Sequence, residues 1–118
     1  MDENMKQQLE KAGINFKTGM ERFLGNETLF VSFLHKFPKD PSFSNLCIHM
    51  ENSEVQAAFR EAHTLKGVAG NLSLDGLSVL LVPFVERLRE EKLEEAKLLF
   101  PSIREKYNQL NGIIDELE

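Results

Sequence analysis

Apolar residues recur along this chain at alternating intervals of three and four, the signature of helices that each bury one face. The longest run is the last, where Leu93, Ala96, Phe100, Ile103, Tyr107, Leu110, Ile114 and Leu117 keep one narrow stripe apolar. Pro101 falls inside it and removes a backbone donor, which predicts a kink or a helix boundary there. Leu77, Leu80, Leu81, Phe84 and Leu88 mark a preceding helix that begins near Ser73 or Asp75, either of which can cap free N–H groups. Pro83 lies midway along it and predicts a bend or a later start. Before that, Val55, Ala58, Phe59, Ala62, Leu65, Ala69 and Leu72 define a helix over about 53–72, with Ser53 as its candidate N-cap.

Upstream, Asn26 caps a segment in which Leu29, Phe30, Phe33, Leu34 and Phe37 share one side and Pro38 is the stop; "FSNLCIHM" reads as a shorter turn after it. "MKQQLEKAG" and "FKTGMERFLG" read as two short helices split at Gly13, each ending in glycine. No run alternates apolar and polar positions with β-branched residues, and Asp75-Gly76, the one turn-like pair, has helical periodicity on both sides. Amphipathic helices with short connections predict an all-α fold: an antiparallel up-down four-helix bundle with additional short N-terminal helices. Residues 1–118 read as a single domain, 1–12 being an N-terminal extension or short helix.

Composition narrows the function classes. Fourteen basic residues against 19 acidic ones leave a net charge of −5, which disfavours nucleic acid and membrane surfaces and favours protein partners. Cys47 is the only cysteine, so no internal disulfide forms and a reducing compartment is the natural setting. The N-terminus lacks a signal-peptide core and no apolar run nears the roughly 20 residues that span a bilayer; the expected location is cytoplasmic. His35 and His49 have no partners at metal-ligand spacing, so no metal site is expected. A Gly-rich phosphate loop is absent, so neither ATP binding nor self-phosphorylation is expected.

The stretch "AHTLKGVAGN", residues 62–71, places Gly67 and Gly70 inside a helix, although each costs about 1 kcal/mol relative to alanine. On a helical wheel His63 lies roughly 130° from the apolar stripe and faces solvent. Gly67 follows one turn later on the same face, Gly70 lies on its flank, and Lys66 stands between that face and the core stripe. Two glycines on an exposed face allow another molecule to approach the imidazole closely, and Lys66 can reach a negative group attached to that ring. An exposed neutral imidazole is a fair nucleophile near pH 7. Asn71 and Arg60 border this surface, either as part of a docking face or as plain polar surface. A general-base enzyme would need a concave pocket and a second catalytic group, and a histidine on a convex helix offers neither.

These residues resemble the signature of histidine phosphotransfer (HPt) domains, Ala-His-x-Leu-Lys-Gly-x-Ala, at Ala62, His63, Leu65, Lys66, Gly67 and Ala69. "GINFKTGMERFLGNETLFVSFLHKF" is similar to the N-terminal segment of many such domains, so the likeness runs from about Gly13 to the C-terminus. The resemblance implies a phosphorelay carrier in which His63 accepts a phosphoryl group from a receiver-domain aspartyl phosphate and passes it to another receiver. Lys66 would offset the phosphoryl charge, and Gly67 would open the surface for docking. The chain would act as a monomer with no cofactor of its own and no kinase domain. Mg²⁺ would come with the receiver. The implied partners are response-regulator receiver domains, and a hybrid sensor histidine kinase is a further candidate. The alternative is a helical binding module that regulates a signalling partner without being phosphorylated. Two departures from the family pattern stand near the site: Ser73 where many members have glycine, and Phe84-Val85, just after Pro83, where many have Leu-Glu.

Overall fold

The computed structural model describes residues 1–118. Seven α-helices follow one another: α1 (Glu3–Ala12), α2 (Phe16–Arg22), α3 (Glu27–Lys36), α4 (Ser42–Glu51), α5 (Val55–Asn71), α6 (Asp75–Arg89) and α7 (Leu93–Asp115). One 3-10 turn at Phe37–Lys39 joins α3 to α4. Successive packing of α4 on α5, α5 on α6 and α6 on α7 gives the up-down bundle that the periodicity predicts.

The segment that reads as a short turn, "FSNLCIHM", lies within α4, a full bundle helix. Its local signal is weak, but Phe43, Leu46 and Met50 are buried, and such tertiary packing supplies most helical stability in proteins. Together α3, the 3-10 turn and α4 form one arm, broken at Pro38 and Pro41, that runs antiparallel to α7. Phe37 meets Tyr107 at 5.3 Å between ring centroids, and Phe43 stacks on Tyr107 at 3.9 Å and on Phe100 at 6.1 Å. Phe84 of α6 joins the same cluster through Phe100 at 5.6 Å. On α5 the stripe is Ala58, Ala62, Leu65 and Ala69, and its three alanines let α4 and α6 pack closely on both sides.

Several boundaries differ from the sequence expectation. Of the two outcomes open at each proline, the boundary does not occur: α6 starts at Asp75 and runs through Pro83, and α7 runs through Pro101. Both prolines are exposed, as are Val79 and Lys97, whose carbonyls lack the helical N–H partner that a proline cannot supply. Ser53 is not the cap of α5; it takes a left-handed φ of 56° after α4, and Glu54 precedes α5 without a side-chain cap. Nor do Ser73 and Asp75 cap α6, whose N-cap is Leu74. Gly13 does end α1, with φ 94°, whereas after α2 the left-handed positions are Leu24 and Gly25.

The N-terminal helices are fastened to the turn that joins α5 to α6. A Cβ on Gly13 would lie 2.6 Å from the Gly76 Cα, and the Gly76 amide donates to the Gly13 carbonyl at 2.9 Å. This contact accounts for both glycines. Beside it the Asn15 amide donates to the Ser73 carbonyl at 2.8 Å, and the Asn15 side chain bonds the Asp75 carboxylate at 3.0 Å. Glycine at 19 lets α2 sit on α3, since a Cβ there would lie 2.5 Å from the buried Phe30 ring.

Candidate functional site

Helix α5 presents its outer face to solvent along its length. Ala58, Ala62, Leu65 and Ala69 face the core, which leaves Arg60, His63, Gly67 and Asn71 on the opposite side, all exposed. Lys66 and Gly70 stand half-buried on the flank. No atom lies within 4 Å of where a Cβ on Gly67 or Gly70 would stand, so neither glycine is required by packing. His63, Lys66, Gly67 and Gly70 therefore form one compact patch of ring, ammonium and bare backbone, with Arg60 a turn before it and Asn71 directly after Gly70.

One flank of the patch belongs to α6. Arg89 lies over the Phe59 ring, its guanidinium carbon 5.5 Å from the centroid, so the Phe59 side of α5 faces α6. Two turns along each antiparallel helix from this contact come Lys66 on α5 and Val82 on α6. Val82 and Val79 are exposed and add an apolar edge. Charge near His63 is mainly positive: Arg60, Lys66 and Arg89 stand there, and Glu86 pairs with Arg89 at 3.4 Å. Lys66 takes part in none of the chain's ion pairs, which leaves its ammonium available to an incoming anion.

The other flank is a cleft of ≈ 270 Å³ between α5 and the α2–α3 region, lined by Phe23, Phe33, Lys36, Phe37, Asp40, Val68, Asn71 and Leu72. Asn71 thus stands where the glycine patch meets an apolar cleft. The α5 helical pattern does not reveal this cleft, because its aromatic wall comes from residues more than thirty positions upstream.

Both departures from the family pattern have structural reasons. Ser73 takes φ 58°, the left-handed conformation that glycine adopts most easily. Its side chain is nevertheless used: it is buried, and the Thr18 hydroxyl donates to Ser73 Oγ at 2.8 Å. Phe84 and Val85 are fully buried, so their identities change the core and not the surface around His63.

No cluster of three or more His, Cys, Asp or Glu side chains is placed to hold a metal ion, and no helix is long and apolar enough to cross a membrane. No curated protein and no solved structure matches the chain. A family model for the Hpt domain matches residues 29–118, which include all of α4 to α7 and the whole glycine patch. With a helical bundle that carries the His-x-x-Lys-Gly sequence on an exposed face, the chain belongs to the Hpt domain family, the phosphotransfer modules of two-component signalling.

Proposed function

We propose that this protein carries a phosphoryl group in a phosphorelay, with His63 as the acceptor. The observation that carries this reading is the placement of His63 beside two glycines whose missing side chains meet nothing within the chain. Helix stability alone would favour alanine at both positions. Close approach by a partner gives the glycines a purpose.

The unprotonated ring nitrogen of His63 attacks the phosphorus of a receiver aspartyl phosphate. A P–N bond forms as the P–O bond breaks, and the aspartate leaves as a carboxylate with the bonding electron pair. The proton on the other ring nitrogen is released to solvent or retained. Lys66 lies one turn along and offsets charge on the phosphoryl oxygens through a charge-assisted hydrogen bond. Onward transfer is the same step reversed with a second receiver. The chain needs no cofactor of its own, since the receiver supplies Mg²⁺. The apolar cleft beside Asn71 and the valines of α6 give the receiver apolar surface on both flanks of the acceptor. A single copy of the chain supplies the whole site.

Transfer from a radiolabelled receiver domain tests this directly. Wild type takes up label as acid-labile, alkali-stable phosphohistidine, and His63→Gln takes up none. Lys66→Ala slows transfer about tenfold, the loss of one charge-assisted contact. Equal labelling of His63→Gln would refute the assignment. A receiver that binds wild type and His63→Gln alike, with no label moved, would favour a binding module.

A further inference from the structure

Phe59 lies one turn before His63 on α5, and the two rings stack with centroids 5.9 Å apart and planes 25° from parallel. The same phenyl ring carries the Arg89 guanidinium of α6 at 5.5 Å, within the roughly 6 Å over which an aromatic face attracts a cation. Glu86, one turn back along α6, holds that guanidinium at 3.4 Å. Carboxylate, guanidinium, phenyl and imidazole thus form a row that crosses the α5–α6 seam and ends at the candidate acceptor. Phe59 is partly buried against the core and its ring is anchored, whereas His63 is exposed. The torsion that turns an imidazole plane is broad in a free side chain. A stacked neighbour narrows it.

We propose that Phe59 is a positioning residue for phosphoryl transfer: its ring, braced by Arg89, holds the plane of the His63 imidazole so that a ring nitrogen meets the docked phosphoryl group in line. This rests on His63 being the phosphoacceptor. Phe59 has no proton to give and no charge, and its ring is stacked beside the imidazole. Its effect therefore falls on orientation and not on intrinsic reactivity. Transfer between two docked proteins is sensitive to such orientation, because a displacement of about 1 Å can cost on the order of a hundredfold in rate. A small reagent in free solution approaches from many directions and is insensitive to it.

The test compares the full chain as wild type, Phe59→Leu and Phe59→Tyr. Leucine keeps apolar bulk and helix propensity but loses the flat ring, and tyrosine restores the ring. Each protein is phosphorylated in two ways, by receiver domains charged with acetyl phosphate and by phosphoramidate, with the product followed at the His63 ring by NMR. Phe59→Leu should lose the ring-current shift of the His63 ring protons and slow the saturating rate of receiver transfer about tenfold. Its half-saturating receiver concentration and its phosphoramidate rate should stay within about twofold of wild type. Phe59→Tyr should restore both the shift and the rate. Receiver transfer at the wild-type rate in Phe59→Leu would overturn the proposal, as would slowing shared equally by both reagents or by the tyrosine variant. Wild type that reacts with phosphoramidate at His63 but with no receiver would overturn the carrier reading itself, and the positioning role with it.

Discussion

The hydroxyl of Thr18 in α2 donates to the hydroxyl of Ser73 in the α5–α6 turn at 2.8 Å, across 55 residues of sequence. Ser73 holds φ 58°, which costs a non-glycine residue on the order of 1–2 kcal/mol. The hydrogen bond returns about 1 kcal/mol of that. Ser73→Gly should therefore leave stability within about 1 kcal/mol of wild type, since it relieves the backbone as it removes the bond. Ser73→Ala keeps the strain and loses the bond, and should destabilise by about 1 kcal/mol. Denaturant midpoints for Ser73→Ala, Thr18→Val and the pair check this: the double variant should be less destabilised than the sum. Strict additivity would show that the two hydroxyls do not interact.

Gly67→Ala and Gly70→Ala should each raise helix stability by up to about 1 kcal/mol, because a Cβ at either position meets open space. The same variants should slow receiver transfer, so stability and function move in opposite directions. Gly19→Ala should do the reverse and destabilise by about 1–3 kcal/mol through overpacking, because the Phe30 ring that it meets is fully buried. Thermal unfolding beside single-turnover transfer separates these effects. Faster or unchanged transfer in both α5 variants would remove the argument that the glycines serve docking.

The Glu54 carboxyl is held below the usual range, chiefly by its hydrogen bond with His49 Nδ1 at 3.0 Å and further by the charge of that ring. A carboxyl depressed on folding stabilises the native state above its unfolded pKa, and that contribution disappears as pH falls through the folded value. His49→Ala should raise the Glu54 titration midpoint, as read by carboxyl carbon NMR. The stability gap between wild type and His49→Ala should be present above the Glu54 titration and close as pH falls through it. A gap that persists after Glu54 is protonated would mean that His49 acts through packing.

Phe33 is 37% exposed and its ring lies against Phe23 at 5.2 Å on the wall of the cleft beside Asn71. If a receiver covers this wall, Phe33→Asp should weaken its binding by at least about tenfold, the cost of placing an unpaired charge in an apolar contact. Phosphoramidate labelling of His63 should not change. Titration calorimetry with a phosphorylation-inert receiver measures the effect, and unaltered affinity would place the docking surface elsewhere.

Much of the site is legible in the order of residues alone. The 3.6-residue period places His63 opposite Ala58, Ala62 and Ala69, and the cost of glycine in a helix raises the question that an open surface answers. Phe59, four residues before His63, is one turn away on any helical wheel, yet its role does not show there, because Arg89 meets it only once α6 packs alongside. Ser73 departs from a glycine pattern for a reason that lies in α2, 55 residues away. Helix α4 is harder to foresee because its ten residues carry little local signal, and burial of Phe43, Leu46 and Met50 is what holds it.

By itself the sequence determined the elements whose cause is local: which residues face inward on each amphipathic helix, where Gly13 stops α1, and that the His63 ring points to solvent. Such features follow from periodicity and backbone conformational freedom, which act within a few residues. The tertiary structure decided what depends on pairings between distant segments: the proline-broken arm of α3 and α4 against α7, the continuation of α6 and α7 past their prolines, the Thr18–Ser73 bond, the cleft wall from Phe23 and Phe33, and the Arg89–Phe59–His63 row. These pairings form only when burial of apolar surface outweighs the conformational entropy of bringing far parts of the chain together, a balance struck over the whole molecule.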